Sequence, residues 1–391
     1  MRVLFVGQTG VEKDQAIRNF AALVDRRRYR NRGIGLGRIG TYCVESEIKN
    51  IVQDFTSYLS CQNETIQRDN WRCAFQRILA QIRGARHQDI YLAMHLAFYR
   101  DSNFFSPVDW QLLRRFRPDA VVTLIDDIYD VWKRIEDRTA SNPASASHFR
   151  LREIVAWRSA ETLVADWLPL ILRKPSLRNF VVAAKHPSEM LYRLLYEPAK
   201  LRVYASFPIS KTRDSRSKRA EIDSFRRVLH RRFCVFDPLT IDEKILERLA
   251  KQQKRRRGIQ VRISDRWAVG LRNQMCPVER RFYPIVVPRE EVQEVTAAIG
   301  HHISERDYRL IRQANCVAVY RPYYGKSLHE GVSAEIKYAT HTFPIPRFMV
   351  FPNRDGDPQR SPFHGHGVLC GSVRKLVDNL RRFEQNARRG R

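Results

Sequence analysis

The sequence predicts an α/β protein of two doubly wound, parallel-sheet domains. Short apolar runs alternate with amphipathic segments of helical period along the whole chain, the pattern of βαβ units. Several runs end in loops bearing glycine or aspartate, the place where open sheets bind ligands beyond the carboxyl ends of their strands. A length of 391 residues suits two cores rather than one.

The first half reads as follows. Residues 2–6 form a buried strand, followed by the loop Gly7 to Asp14 and a helix from about Gln15 to Val24. Residues 26–40 are basic and glycine-rich and read as a loop. Helices are expected over 45–59, 69–82, 109–115, 128–138 and 151–171, and strands over 89–99, 119–125 and 179–184. Residues 142–147 are a small-residue loop. The boundary between domains 1–195 and 196–391 falls near Tyr196-Glu197-Pro198-Ala199.

In the second half a strand restarts at Leu201 to Pro208, with a basic loop over 209–218, a helix over 220–231 and a strand ending at Asp237-Pro238. Residues 251–258 are a charged linker. A strand over 284–287, helices over 292–300 and 304–314, a strand over 317–320, a strand over 347–351 and a helix from Leu369 to Asn386 complete the chain. The segment Gly331 to Tyr338 opens a helix, which puts Glu335 in its first turn, where the helix dipole favours an ionised carboxylate. On that segment alone an ordinary surface glutamate also fits.

Composition narrows the classes. The seven cysteines are scattered without a CxxC pair, which argues against a disulfide framework or a zinc knuckle and suits reduced thiols in a cytoplasm. No apolar run reaches the length of a membrane span, and MRVLFVGQTG breaks to glycine too early for a secretory signal. The net charge of +28 implies phosphate-bearing partners, with a nucleic acid or a regulatory protein as candidates; arginine-rich solvated faces are the bland alternative. Arg26 to Arg32, with Tyr29 interleaved, is the strongest nucleic-acid candidate. His364 and His366 form a HGH pair with no further ligand nearby, so no metal is expected there. His95 reads as a satisfied interior histidine, and Asp126 with Asp127 as a strand-end turn and helix cap.

Two family resemblances emerge from motif order. GxTGxxK (Gly7, Gly10, Lys13), the strand before His95, DAVVTLIDD, DVWKRIEDR, IVAWRSAE and NFVVAAKHP resemble the adenylate- and cytidylate-kinase branch of P-loop proteins over about the first 195 residues. The resemblance implies nucleotide binding at Gly7, Gly10 and Lys13, with ATP or another nucleotide as cofactor there, and sets Asp127, Asp130 and Arg134 or Arg138 at the lid positions. Glu12 replaces the second loop glycine and Asp14 the magnesium-binding hydroxyl, so the domain reads as degenerate.

VYASFPIS, FDP, ERDYRLIRQANCVAVYRP, EGVSAEIKYA and PRFMVF resemble the nucleoside 2-deoxyribosyltransferase and nucleotide N-glycoside hydrolase family over about residues 200–355. That resemblance implies Glu335 as nucleophile, Asp307 as second acid and Tyr204 as the residue orienting the glutamate. Pro208, Ser210, Asp237, Glu330, Gly331 and Ser333 stand at substrate-binding positions, and no cofactor is required for base cleavage. Phe207 replaces a family glycine and is expected to narrow the pocket, and His329 and Glu330 stand near a family aspartate position. Relatives often complete their sites across subunits, which implies a homo-oligomer. The reading is an N-glycosidase or base-exchanging enzyme acting on a nucleoside, a nucleotide or NAD, as in a defence effector. The alternatives are a non-catalytic nucleic-acid-binding protein and a nucleotide kinase.

Overall fold

The structure is a computed structural model. It describes residues 1–32, 39–52, 58, 63–100, 102–141, 148–210, 212–267, 283–320, 323–324, 327–351 and 367–389.

The chain starts with β1 (Arg2–Val6) and α1 (Lys13–Arg32), then β2 (Ile39–Cys43), α2 (Val44–Lys49), α3 (Glu64–Gly84) and β3 (Asp89–Ala93). A hairpin of β4 (Phe98–Arg100) and β5 (Asn103–Phe105) leads to α4 (Trp110–Phe116), β6 (Ala120–Ile125), α5 (Ile128–Ser141), α6 (Leu151–Ile171) and β7 (Arg178–Ala183). Next come α7 (Ser188–Tyr196), β8 (Arg202–Ser206), α8 (Arg216–Arg232), β9 (Cys234–Phe236) and α9 (Lys244–Gln252). They are followed by β10 (Gly258–Val261), β11 (Ile285–Pro288), α10 (Arg289–Gln313), β12 (Cys316–Tyr320), β13 (Tyr323–Tyr324), β14 (Ser327–Leu328) and α11 (Glu330–Lys337). A π-helical turn (Tyr338–Thr342), β15 (Arg347–Val350), β16 (Val368–Cys370) and α12 (Val373–Arg389) end the described chain.

Two five-stranded parallel sheets result, ordered β2-β3-β1-β6-β7 and β16-β15-β12-β8-β9. The α/β class read from the sequence is therefore the observed one. One compact unit comprises Met1–Ala184, Leu246–Ile263 and Pro277–Ala297; the other comprises Lys185–Ile245, Ser264–Cys276 and Ala298–Arg391. This division is discontinuous, unlike a single cut after residue 195. The first difference has a local cause: Arg193 of α7 donates to the Phe233 carbonyl at 2.7 Å and to the His230 carbonyl at 2.6 Å, which ties α7 to the second unit. The second is the antiparallel β10-β11 pair, which goes with the first unit, where Tyr283 donates to Asp130 at 2.8 Å.

Period-two alternation sets the faces of the second sheet. Val203, Ala205 and Phe207 share one apolar cluster with Ile222, Phe225 and Leu229 of α8 and Leu376, Val377 and Leu380 of α12. Tyr204 and Ser206 point to the opposite face. In the first unit, Leu4 and Val6 of β1 pack with Trp71, Phe75 and Leu168 of the helices on one side.

Several boundaries differ from expectation. Helix α1 runs on to Arg32, so the basic segment from Arg26 is helical, and β2 occupies the end of the expected loop. The apolar run 89–99 is cut into β3 and β4 by the bend carrying His95. Helix α10 is continuous across Gly300, whose absent side chain faces open space. Leu369 belongs to β16 and the last helix starts at Val373. Helices α7 and α9 escaped the sequence reading. Residues 33–38, 53–57, 59–62 and 142–147, together with His364 and His366, lie outside the described residues.

Candidate functional site

In the second sheet the local strand order is 2-1-3-4-5, with the connections reversing direction between β8 and β12. That crevice is where sheets of this order bind ligands. Glu335 lies on α11, downstream of β12, and is 9% exposed. Tyr204, from β8, donates its hydroxyl to Glu335 Oε1 at 2.8 Å. Ser206, two residues on and therefore on the same face, donates to Glu335 Oε2. Each carboxylate oxygen thus receives a hydroxyl from one strand. Ser206 was not among the expected site residues, although the i, i+2 spacing from Tyr204 is the signal that could have found it.

Asp307 reaches the same neighbourhood from α10. Its Oδ1 accepts from Arg306 Nε at 3.0 Å and Nη2 at 2.9 Å, and Arg306 also donates to the Ile241 carbonyl at 3.2 Å. The Tyr308 ring stacks on Tyr338 with centroids 4.1 Å apart, at the start of the π-helical turn. Such turns occur often at functional sites.

Electrostatics corrects one expectation. Glu335 sits in the second turn of α11, not the first, because the helix starts at Glu330. Burial, reinforced by the nearby Asp307 charge, pushes its carboxyl up to about 8. The helix dipole does not keep it ionised. Burial also raises Asp307, opposed by the Arg306 guanidinium. Tyr204 is raised well above its ordinary value by burial and by the two carboxylates, so its hydroxyl keeps the proton it donates.

The other expected substrate residues are dispersed. Glu330 and Gly331 are exposed in the first turn of α11, and Ser333 is half-buried there. Pro208 is buried and its carbonyl accepts from Thr212; Ser210 is exposed. Asp237 is fully buried and already engaged, accepting from Arg226 at 2.8 Å, from the Leu239 amide at 3.0 Å and, at Oδ2, lying 3.1 Å from His230 Nε2. Burial alone would raise it, but the Arg226 and His230 partners hold it well below the usual carboxylate range. Phe207 packs against Phe225 within the core on the far face of the sheet, with the Arg226 guanidinium over its ring, instead of narrowing the carboxylate site.

The glycine loop of the first unit has its own geometry. Gly7 (φ 144°) and Gly10 (φ 79°) adopt conformations that favour glycine, and a Cβ on Gly7 would lie 2.5 Å from the Leu124 carbonyl oxygen. Glu12 is left-handed at φ 57° and pairs with Arg138. Lys13 is buried and turned back onto its own loop. It donates to the Gly7 carbonyl at 2.6 Å and lies 2.9 Å from His95 Nε2. A lysine ammonium only donates, so His95 Nε2 accepts and Nδ1–H donates to Glu45 at 2.7 Å. His95 is indeed a satisfied interior histidine. The imidazole and Lys13 hold Glu45 down at about 2 despite its burial. Burial raises the neighbouring Glu161 to about 8, although it accepts the Leu96 and Ala97 amides.

Carboxylate oxygens of Asp126, Asp127 and Asp130 lie within 4.8 Å of one another. Asp126 accepts from Arg134 at 2.8 Å and from the Asp127 amide at 2.8 Å, the strand-end turn expected, and Asp130 accepts from Tyr283. Arg134 also donates to the Gly10 carbonyl at 2.8 Å, which braces the glycine loop. Arg28 pairs with Asp89, while Tyr29 is 60% exposed.

No protein-family model matches the chain, and no curated protein matches it. Among the described residues no helix is long and apolar enough to cross a membrane.

Proposed function

We propose that the second unit breaks or exchanges the N-glycosidic bond of a nucleoside or nucleotide, with Glu335 as the group that meets the anomeric carbon. One observation carries this reading: a buried glutamate at the switch point holds one hydroxyl donor on each oxygen and a second carboxylate beside it. Cleavage through an oxocarbenium-like centre needs one charge and one proton between two groups. A buried pair of neighbouring carboxylates supplies both in the window between its two titrations. In the step proposed, Glu335 bonds to the anomeric carbon as the carbon–nitrogen bond breaks. The electron pair leaves with the base, and the proton shared with Asp307 follows it. Water or a second base then attacks the same carbon as the bond to Glu335 breaks, and the attacker's proton passes to Asp307, which restores the pair with its one shared proton. Tyr204 and Ser206 fix the glutamate's orientation.

The unit would then be deoxyribosyltransferase-like, and the first unit a degenerate kinase-like domain. With Lys13 committed to Gly7 and His95, the first unit reads as a nucleotide sensor or partner dock rather than a phosphoryl-transfer site. A cytoplasmic homo-oligomer that depletes a nucleotide or NAD pool in defence completes the proposal. The test is chromatography of purified protein with nucleosides, nucleotides and NAD, with and without added free base. Release of a base supports the reading. Release only when free base is added marks a transferase. Absence of both with every compound counts against it.

A further inference from the structure

We infer that the outer face formed by α8 and α12 is a docking surface for the phosphodiester backbone of a double-stranded nucleic acid. The inference does not rest on the base-release reading.

Both helices cover the same face of the second sheet, since their apolar residues share one cluster with β8, β12 and β15. Helix α12 turns Leu376, Val377 and Leu380 inward. Its basic residues come as three doublets seven residues apart: Arg374-Lys375, Arg381-Arg382 and Arg388-Arg389, all exposed. A seven-residue step is close to two helical turns, so the doublets align along the outward face. Fourteen residues at 1.5 Å each give a charged stripe about 21 Å long. Helix α8 adds exposed Arg216, Arg227, Arg231 and Arg232.

The two helices hold thirteen basic and four acidic residues, a net +9 in 34 residues against +28 in 391. The acids do little to neutralise the face. Asp223 binds Arg226 and Trp267, Glu221 accepts from Tyr320, and Glu384 accepts the Leu201 amide as well as pairing with Arg388. Asp378 is the exposed acid of α12. Among the described residues, Arg374, Lys375, Arg381, Arg382 and Arg389 meet no carboxylate.

The face selects among polyanions. A lipid surface calls for apolar side chains to insert beside the charges, and single strands call for aromatic platforms. Among the described residues, neither lies on these two helices: the exposed large apolar residues are on other elements. Arginine without aromatics contacts phosphates, and a long rigid stripe matches a stiff duplex, which presents one charge per about 1.7 Å of axis. The surface reads backbone rather than sequence, so DNA and RNA duplexes share its chemistry.

The experiment is fluorescence anisotropy with the full chain. The probes are a labelled 20-base-pair DNA duplex, an RNA duplex of the same sequence, and vesicles containing phosphatidylserine, each over a series of salt concentrations. Two charge-reversal variants are compared: Arg374→Glu/Lys375→Glu/Arg381→Glu/Arg382→Glu on the face, and Lys254→Glu/Arg255→Glu/Arg257→Glu on the α9–β10 turn as a control. All seven side chains are exposed, so folding is retained, which circular dichroism checks. The expected result is duplex binding that weakens steeply with salt, a loss of about 100-fold in the face variant with a salt slope flatter by about 0.9 per lost contact, and little change in the control. Which duplex binds more tightly identifies the source of the backbone. Tighter binding to vesicles, no duplex binding by the native chain, or equal loss in the control overturns the inference.

Discussion

Glu335 needs two donors to hold it and one neighbouring carboxyl to share a single proton with it. Removing Tyr204 or Ser206 tests the first. Tyr204→Phe and Ser206→Ala each remove one hydrogen bond to a charged group, on the order of 1.5–3 kcal/mol, so each is expected to slow base release by about 10- to 100-fold. Steady-state rates on one substrate measure it, and a change under twofold in both variants contradicts the orienting role. The pH profile tests the second. Glu335 titrates near 8, so activity that uses the shared proton falls as pH rises through about 8. Asp307 is the like charge that helps raise it, and Asp307→Asn lowers the Glu335 value. With no second carboxyl there is no shared proton to lose, so the fall near pH 8 disappears from whatever activity remains. A limb that stays in place shows that the two carboxylates do not interact.

The same shift has a consequence for stability. A carboxyl raised above its unfolded value binds more protons folded than unfolded, so its contribution is present at low pH and is lost as pH rises through about 8. Glu335→Gln removes that loss. The unfolding free energy of the variant relative to the native protein, from chemical denaturation, should increase from pH 5 to pH 9, by an amount on the order of 4 kcal/mol. A difference that is flat with pH contradicts the raised value.

At the scale of elements, alternation on β8 does most to build the site. One period-two strand sends Val203, Ala205 and Phe207 into the core under α8 and α12, and Tyr204 and Ser206 to the carboxylate. The strand and Tyr204 were legible in VYAS. Ser206 was legible only through its i, i+2 spacing from Tyr204, because a serine in an apolar run carries no signal of its own. Phe207 was misread for the same reason, its face being set by register. Helix α10 shows another limit: Gly300 suggested a break, but a glycine with open space around it costs a helix only about 1 kcal/mol. Asp237 stood in a site motif and is a buried partner of Arg226, with side chains of 0% and 1% exposure. Arg226→Ala should destabilise the second unit by about 3–5 kcal/mol, because it strands a buried charge. Chemical denaturation measures this, and a loss below 1 kcal/mol would show that Asp237 finds solvent.

At the scale of the molecule, the βα alternation and the two-sheet plan were readable from apolar periodicity. The division into units was not. The segments Leu246–Ile263 and Pro277–Ala297 join the first unit although they follow the second unit's opening strands. Long-range packing of that kind leaves no local pattern. The positive charge was evident from composition, but its arrangement on α8 and α12 required knowing which faces point outward. The glycine loop shows the same dependence. GxTGxxK was visible in the sequence, whereas the return of Lys13 onto Gly7 and His95 emerges only when β1 and β3 lie side by side.

The most direct test of the central claim is base release by Glu335→Gln beside the native chain, on the same panel of nucleosides, nucleotides and NAD. The account predicts that the native protein releases a base and that the variant, folded to the same circular dichroism spectrum, does so at least about 1,000-fold more slowly. Release at the native rate by the variant would remove Glu335 from the reaction and the carboxylate site from the proposed function.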